Sequence, residues 1–138
     1  MTIRDGFINF AQKYRLPLNE RDENGNSIFS FYISGEKGKY NAYAMCMEEE
    51  RMIVFFVDCN IRVESQHRAL ICEYLMSINY QLKGGSFQID PDTGDITVRI
   101  CQYVFGDDNE QSLLIERVIL FAGMIADNYC HDIVKRLP

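Results

Sequence analysis

Ile28-Phe29-Ser30-Phe31-Tyr32-Ile33-Ser34 alternates apolar and polar side chains with a period of two, the spacing of a strand with one buried face. Phe29, Phe31 and Ile33 point one way; Ser30, Tyr32 and Ser34 point the other. Gly35-Glu36-Lys37-Gly38 follows as a hairpin turn. Lys39 to Met47 reads as a second strand, with a small row of Ala42, Ala44 and Cys46 and a bulkier row of Tyr43, Met45 and Met47. After a turn at Glu48-Glu49-Glu50-Arg51, Met52-Ile53-Val54-Phe55-Phe56-Val57 is apolar on both faces, as a central strand is when both sides are covered. Strands joined by turns this short predict an antiparallel sheet.

On the N-terminal side, Ile3, Phe7, Phe10, Ala11 and Tyr14 share one face of a helical period, and Pro17 is expected to end that helix by pushing Leu16 out of the helical region. Asn19 to Asn26 is polar and mixed in sign, and is expected to be a surface loop with a turn at Asn24-Gly25. On the C-terminal side, a second helix is expected from about Ser65, as N-cap, to about Asn79. Its stripe is Ile71, Tyr74, Leu75 and Ile78, widened by Ala69, Cys72 and Met76. Gly84-Gly85 breaks the chain, and Ser86 to Asp90 and Asp95 to Val104 form a hairpin around Pro91-Asp92-Thr93-Gly94. Ile96, Val98, Ile100 and Val104 share one face of its second strand; Thr97, Arg99, Cys101 and Tyr103 share the other. A final helix runs from about Glu110 to about Arg136, with Leu114, Val118, Phe121, Ala122, Ile125, Tyr129 and Ile133 as its stripe. Asp107, Asp108 and Glu110 at its start and Lys135 and Arg136 at its end suit the helix dipole. The predicted fold is α+β, in the order α-β-β-β-α-β-β-α: a five-stranded, mainly antiparallel sheet with helices packed on one face.

The chain has 138 residues, which predicts a single domain over residues 1–138. A chain of this length buries roughly 68–70% of its unfolded surface and needs no metal or disulfide to hold it. The net charge of -6 argues against sequence-independent nucleic-acid binding and against docking on an anionic membrane. No apolar run is long enough to span a bilayer. Met1-Thr2-Ile3-Arg4-Asp5-Gly6 lacks the apolar core of an export signal, so a cytoplasmic location is expected. Cys46, Cys59, Cys72, Cys101 and Cys130 are odd in number and none is within three residues of another, so reduced thiols are expected rather than disulfides or a zinc site.

No motif calls for catalysis or for a cofactor. Asp90-Pro91-Asp92-Thr93-Gly94-Asp95 fails the calcium-loop pattern, since the sixth position is Asp95 and the twelfth is Cys101; a hairpin turn accounts for it. Gly35-Glu36-Lys37-Gly38-Lys39 lacks the spacing of a phosphate loop and leads into a strand. His67 and His131 each lie on a helix without a partner ligand, and Cys130 and His131 diverge around the helix. Glu116 and Asp127 fall on similar faces of the last helix, but one helix cannot oppose two carboxylates across a substrate, and a solvated edge is expected. The apolar surplus remains. With helices on one face, the open face of the sheet is expected to carry Tyr32, Tyr43, Met45, Arg99 and Tyr103, residue types enriched at protein interfaces. One row of the third strand joins them, either Met52, Val54 and Phe56 or Ile53, Phe55 and Val57. Leu120 and Met124 lie off the main stripe of the last helix.

Leu75-Met76-Ser77-Ile78-Asn79, then Gly85-Ser86-Phe87-Gln88-Ile89-Asp90, then Asp92-Thr93-Gly94-Asp95-Ile96, together with Ala126-Asp127-Asn128-Tyr129, resemble the YbjN-like family. The element order also resembles the type III secretion chaperone-like fold. The resemblance covers about Ile28 to about Val134. It implies an α+β protein of bacterial type, commonly a homodimer, that binds an extended client segment on apolar surface and has no catalytic site. The YbjN-like branch is described as sensory transduction regulators. The function expected is therefore a non-catalytic protein-binding module, chaperone-like or a regulatory adaptor. The alternative is a small-molecule-sensing domain or cryptic enzyme with a pocket between sheet and helices.

Overall fold

The computed structural model describes residues 1–138. In chain order the elements are α1 (Ile3–Lys13), β1 (Asn19–Glu23), β2 (Asn26–Ser34), β3 (Lys39–Met47), β4 (Met52–Arg62), α2 (Arg68–Gln81), β5 (Ser86–Ile89), β6 (Asp95–Tyr103) and α3 (Asp108–Lys135). A single 3-10 turn at Ser65–His67 leads into α2. The six strands form one antiparallel sheet in the order β1-β2-β3-β4-β6-β5. The protein is thus α+β, and its sheet has six strands where five were expected.

The additional strand is β1, which pairs with β2 from Asn19 opposite Ser30 to Glu23 opposite Asn26. All five of its residues are exposed, so no burial pattern marks it in the sequence. Its charges suit an edge, where they discourage pairing with another chain. Asn24 and Gly25 both have positive φ (55° and 82°), the geometry of the tight turn that joins twisted hairpin strands. The strand opening at Met52 also extends beyond Val57 to Arg62, past a register shift between Asp58 and Arg62 where Asn60 adopts positive φ. Cys59, Ile61 and Val63 remain buried along this extension.

One face of the sheet meets the helices. Phe29 and Phe31 of β2, Ala42, Ala44 and Cys46 of β3, Ile53, Phe55 and Val57 of β4, and Ile96, Val98 and Ile100 of β6 belong to one core with residues of all three helices. The third strand therefore presents Ile53, Phe55 and Val57 to the helices. Cross-strand pairing sets Ala42 between Phe31 and Val57, and Ala44 between Phe29 and Phe55, so the small row lies between large side chains. Phe7 of α1 stacks on Phe29 with ring centroids 4.7 Å apart and lies 5.4 Å from Phe31.

The ends of α1 and α3 are capped by acidic and hydroxyl groups. Thr2 accepts from the Asp5 amide while Asp5 accepts from the Thr2 amide, a reciprocal cap on α1. Glu48, in the β3–β4 turn, accepts from the amides of Ile3 and Arg4 at 2.9 Å each and fixes α1 against the sheet. Arg15, with φ of 54°, ends α1 before Pro17 is reached, and Tyr14 is exposed rather than part of the buried stripe. Asp107 caps α3 through the Glu110 amide.

Two details of the helices differ from expectation. Ser65 makes no capping hydrogen bond, and α2 buries only Ile71, Leu75 and Ile78, leaving Ala69 and Met76 exposed. The buried seam of α3 is Ile115, Val118, Ile119, Ala122, Ile125, Ala126, Cys130 and Ile133, with Leu114, Phe121 and Tyr129 half-buried at its flank.

The β5 edge is closed by a side chain. Asn79, near the end of α2, accepts from the Phe87 amide at 2.8 Å and donates its own amide to the Phe87 carbonyl at 3.1 Å. It reproduces the pair of bonds a neighbouring strand would make. Replacing it leaves both Phe87 groups, half-buried, without partners. Asn79→Ala should destabilise the protein by about 1–3 kcal/mol in urea unfolding. A loss below about 0.5 kcal/mol, the ordinary surface range, would show that water substitutes for the amide.

Candidate functional site

The other face of the sheet has no layer over it. Cross-strand pairing arranges it in rows: Ile28, Met45, Val54 and Cys101; then Ser30, Tyr43, Phe56, Arg99 and Ser86; then Met47, Met52 and Tyr103. Tyr32 stands at the β2 end, opposite Asn41. All five residues expected on the open face lie there. Tyr43 and Arg99 share a row, Met45 is in the next, and Tyr103 and Tyr32 occupy opposite margins. Of the two candidate rows of β4, Met52, Val54 and Phe56 is the one that joins them.

The packing on this face is dense for an uncovered surface. Val54 is 2% exposed and Ile28 8%, yet neither belongs to the helix-side core. Their neighbours within the sheet bury them. Around them Tyr32, Tyr103 and Phe105 stand 59%, 56% and 60% exposed. Tyr103 and Phe105 stack with centroids 6.0 Å apart. The Arg99 guanidinium lies over the Phe56 ring at 5.9 Å, and the Lys39 ammonium over Tyr32 at 4.5 Å. Ile28 and Phe105 were not anticipated. Ile28 shares the parity of Ser30 near the start of its strand, and Phe105 lies two residues beyond the end of its strand.

A second feature lies on the helix side. A groove of about 750 Å³ runs between the end of α1, the second half of β2 with its turn, and α3. Its walls include Phe10, Tyr14, Ile33, Ile119, Leu120 and Met124. Leu120 and Met124, the pair off the stripe of α3, are about half exposed along its rim.

Asp127 closes one end of this groove. Its carboxylate accepts from the amides of Glu36 and Lys37 and from the Tyr40 hydroxyl, each at 3.0 Å. Partial burial pushes its carboxyl up, but the hydrogen bonds from Lys37, Tyr40 and Glu36 and the Lys37 charge outweigh this and hold it below the ordinary carboxylate range. The same contact keeps Tyr40 protonated, since burial and the neighbouring carboxylate both raise its phenol. Glu116 accepts from Lys13 at 2.9 Å and from the Tyr14 hydroxyl, tying α3 to α1. Glu116 and Asp127 lie on a solvated edge as expected, and each is in addition an acceptor that fixes α3 to another element.

Three of the thiols, Cys46, Cys59 and Cys130, are buried. All five are free. Burial pushes Cys46 up to about 12, and Cys59 is raised by a hydrogen bond with Cys130 and by burial. Neither can supply a thiolate near neutrality. Cys101 is exposed on the open face. No three His, Cys, Asp or Glu side chains come together to hold a metal ion, and no helix is long and apolar enough to cross a membrane. Asp90 accepts from the amides of Asp92 and Thr93 within its own hairpin turn. No family model matches the chain, and no curated protein is similar to it.

Because the folded-state pKa of Asp127 is lowered, its carboxylate stabilises the fold above its ordinary value of about 3.9, and that contribution is lost as pH falls through the lowered value. Asp127→Asn should therefore cost roughly 1.5–3 kcal/mol at neutral pH, the range for hydrogen bonds to a charged group. The difference from wild type should shrink as both are titrated toward about pH 3. Urea midpoints across that range measure it; a difference that stays constant with pH would show that the charge is not what matters.

Proposed function

We propose that the protein is a non-catalytic protein-binding module, a chaperone-like or regulatory adaptor of the YbjN-like, secretion-chaperone-like kind. It acts in the cytoplasm as a homodimer and takes a partner on the open face of its sheet. One observation carries this reading: the sheet face away from the helices is apolar and uncovered. An antiparallel sheet with a solvated face ordinarily alternates apolar-in with polar-out. Here β4 is apolar on both sides, and Met45, Met47, Met52, Tyr43, Phe56 and Tyr103 surround Val54. Tyr, Met and Arg are the side chains that interfaces use most, and a patch of them half-buried at the centre and rimmed by exposed Tyr32, Tyr103 and Phe105 is what an interaction site offers. Strands β2 to β6 with the three helices also follow the element order on which the resemblance was drawn.

A second reading has its own observation. The groove beside Asp127 lies between sheet and helices, where a small-molecule-sensing domain would hold its ligand.

The first reading is tested at Tyr43 and Tyr103. Wild type should sediment near twice 16.1 kDa or co-purify with a stoichiometric partner. Tyr43→Asp and Tyr103→Asp should each weaken that association at least about tenfold, as loss of an interface anchor does, with the circular-dichroism spectrum unchanged. A wild type that is monomeric and partner-free, indistinguishable from both variants, would refute it.

A further inference from the structure

We propose that the groove between α1, β2 and α3 binds a small organic amine, a protonated nitrogen carried on an apolar body. This rests on the small-molecule reading above and names its ligand class. The volume, about 750 Å³, is that of an ordinary small-molecule site. Two glycines shape it. Gly123 interrupts the interior of α3, where glycine costs roughly 1 kcal/mol against alanine. A Cβ there would come within 3.1 Å of Ile33 Cδ1, so the missing side chain lets Ile33 pack close against α3 as part of the groove wall. At Gly35 a Cβ would fall 2.4 Å from Asp127 Cγ, so only glycine lets the carboxylate sit against the turn.

The lining is divided. Phe10, Ile33, Ile119, Leu120 and Met124 make an apolar wall, while Asp127 and Glu36 stand at one end. Asp127 accepts three hydrogen bonds, all from neutral groups: two amides and a phenol. A carboxylate has about four acceptor sites, so one is left. Neither Asp127 nor Glu36 enters any ion pair. Lys37 acts on Asp127 through its charge but does not reach pairing distance. A fixed negative charge at the end of an apolar groove, with an acceptor free, complements an ammonium group joined to an apolar body. An anionic ligand would meet two like charges, and a neutral one would leave the charge unanswered.

The test uses the full chain at neutral pH and low salt, with phenylpropylamine, phenylpropanol and phenylpropionate as matched cationic, neutral and anionic probes. Saturable amide shifts at Ile33, Gly35, Leu120 and Met124 are followed by NMR. The amine should bind at least about tenfold more tightly than the carboxylate. Gly123→Leu, which crowds Ile33 and narrows the groove, should abolish binding. Glu36→Gln, on an exposed turn, should weaken it about two- to five-fold without touching the core. Equal or tighter binding of the carboxylate would overturn the amine class and leave the small-molecule reading standing. No saturable shift at the groove with any probe would overturn both. Amine binding that survives both substitutions would place it elsewhere and overturn the proposal.

Discussion

Strand β4 constrains everything around it. It is hydrogen-bonded on both sides, to β3 and to β6, and is apolar on both faces from Met52 to Val57. A strand of that composition needs cover above and below. The chain supplies helices for only one side, through Ile53, Phe55 and Val57. The opposite side chains, Met52, Val54 and Phe56, are met only by their neighbours in the sheet. The fold therefore ends with an apolar surface that its own layers do not cover, and the proposed function grows from that mismatch.

How much of this was legible in the sequence depended on burial. Strands with one buried face announced themselves, and the alternation from Ile28 to Ser34 placed every side chain on its observed face. Asn19 to Glu23 did not, because an edge strand with all five residues exposed carries no pattern of two. Its one signal was Asn24-Gly25, the dipeptide most characteristic of tight hairpins, but with polar residues on one side it read as a loop. The far half of β4 was hidden for a related reason. Asp58 and Asn60 interrupt the apolar run, although Cys59, Ile61 and Val63 keep the alternation on the core side. In α2 the expected seam of Ile71, Leu75 and Ile78 is the buried one, and only its widening at Ala69 and Met76 is exposed; in α3 the seam was displaced by a residue or so, since a stripe on a helical wheel fixes the face but not which flank meets the sheet.

The open face was legible up to one ambiguity. A strand apolar on both sides has no preferred parity in isolation, and only its register against Ala42 and Ala44 settles which row faces the helices. The clamp at Asp127 was not legible. It joins residues 87 to 91 positions apart in the chain, and nothing local in Ala126-Asp127-Asn128-Tyr129 reports the turn it holds. The same is true of Gly123, whose meaning comes from Ile33 packed against it.

On the proposed reading, the edges of the sheet explain why association would be directed to its face. At one side β1 carries Glu20, Arg21, Asp22 and Glu23, and Arg4 of α1 is paired to Glu20 at 2.7 Å. A second chain adding there would have to displace charged side chains from solvent. At the other side Asn79 occupies the hydrogen-bonding groups of Phe87, where β5 would otherwise be open. Strand addition is thus opposed at β1 and at β5 by different means, one electrostatic and one by hydrogen-bond mimicry. Beyond these guards, β2 past Ser30, which β1 does not reach, and β6 past Arg99, which β5 does not reach, stay unpaired on their outer sides, and the β2 stretch lines the groove. With much of both edges guarded and one sheet face bare, the adhesive surface on the proposed reading is that face. Side chains there, rather than backbone, would select the partner, so recognition would depend on the spacing of Tyr32, Tyr43, Met45, Arg99 and Tyr103 instead of on strand propensity in the partner.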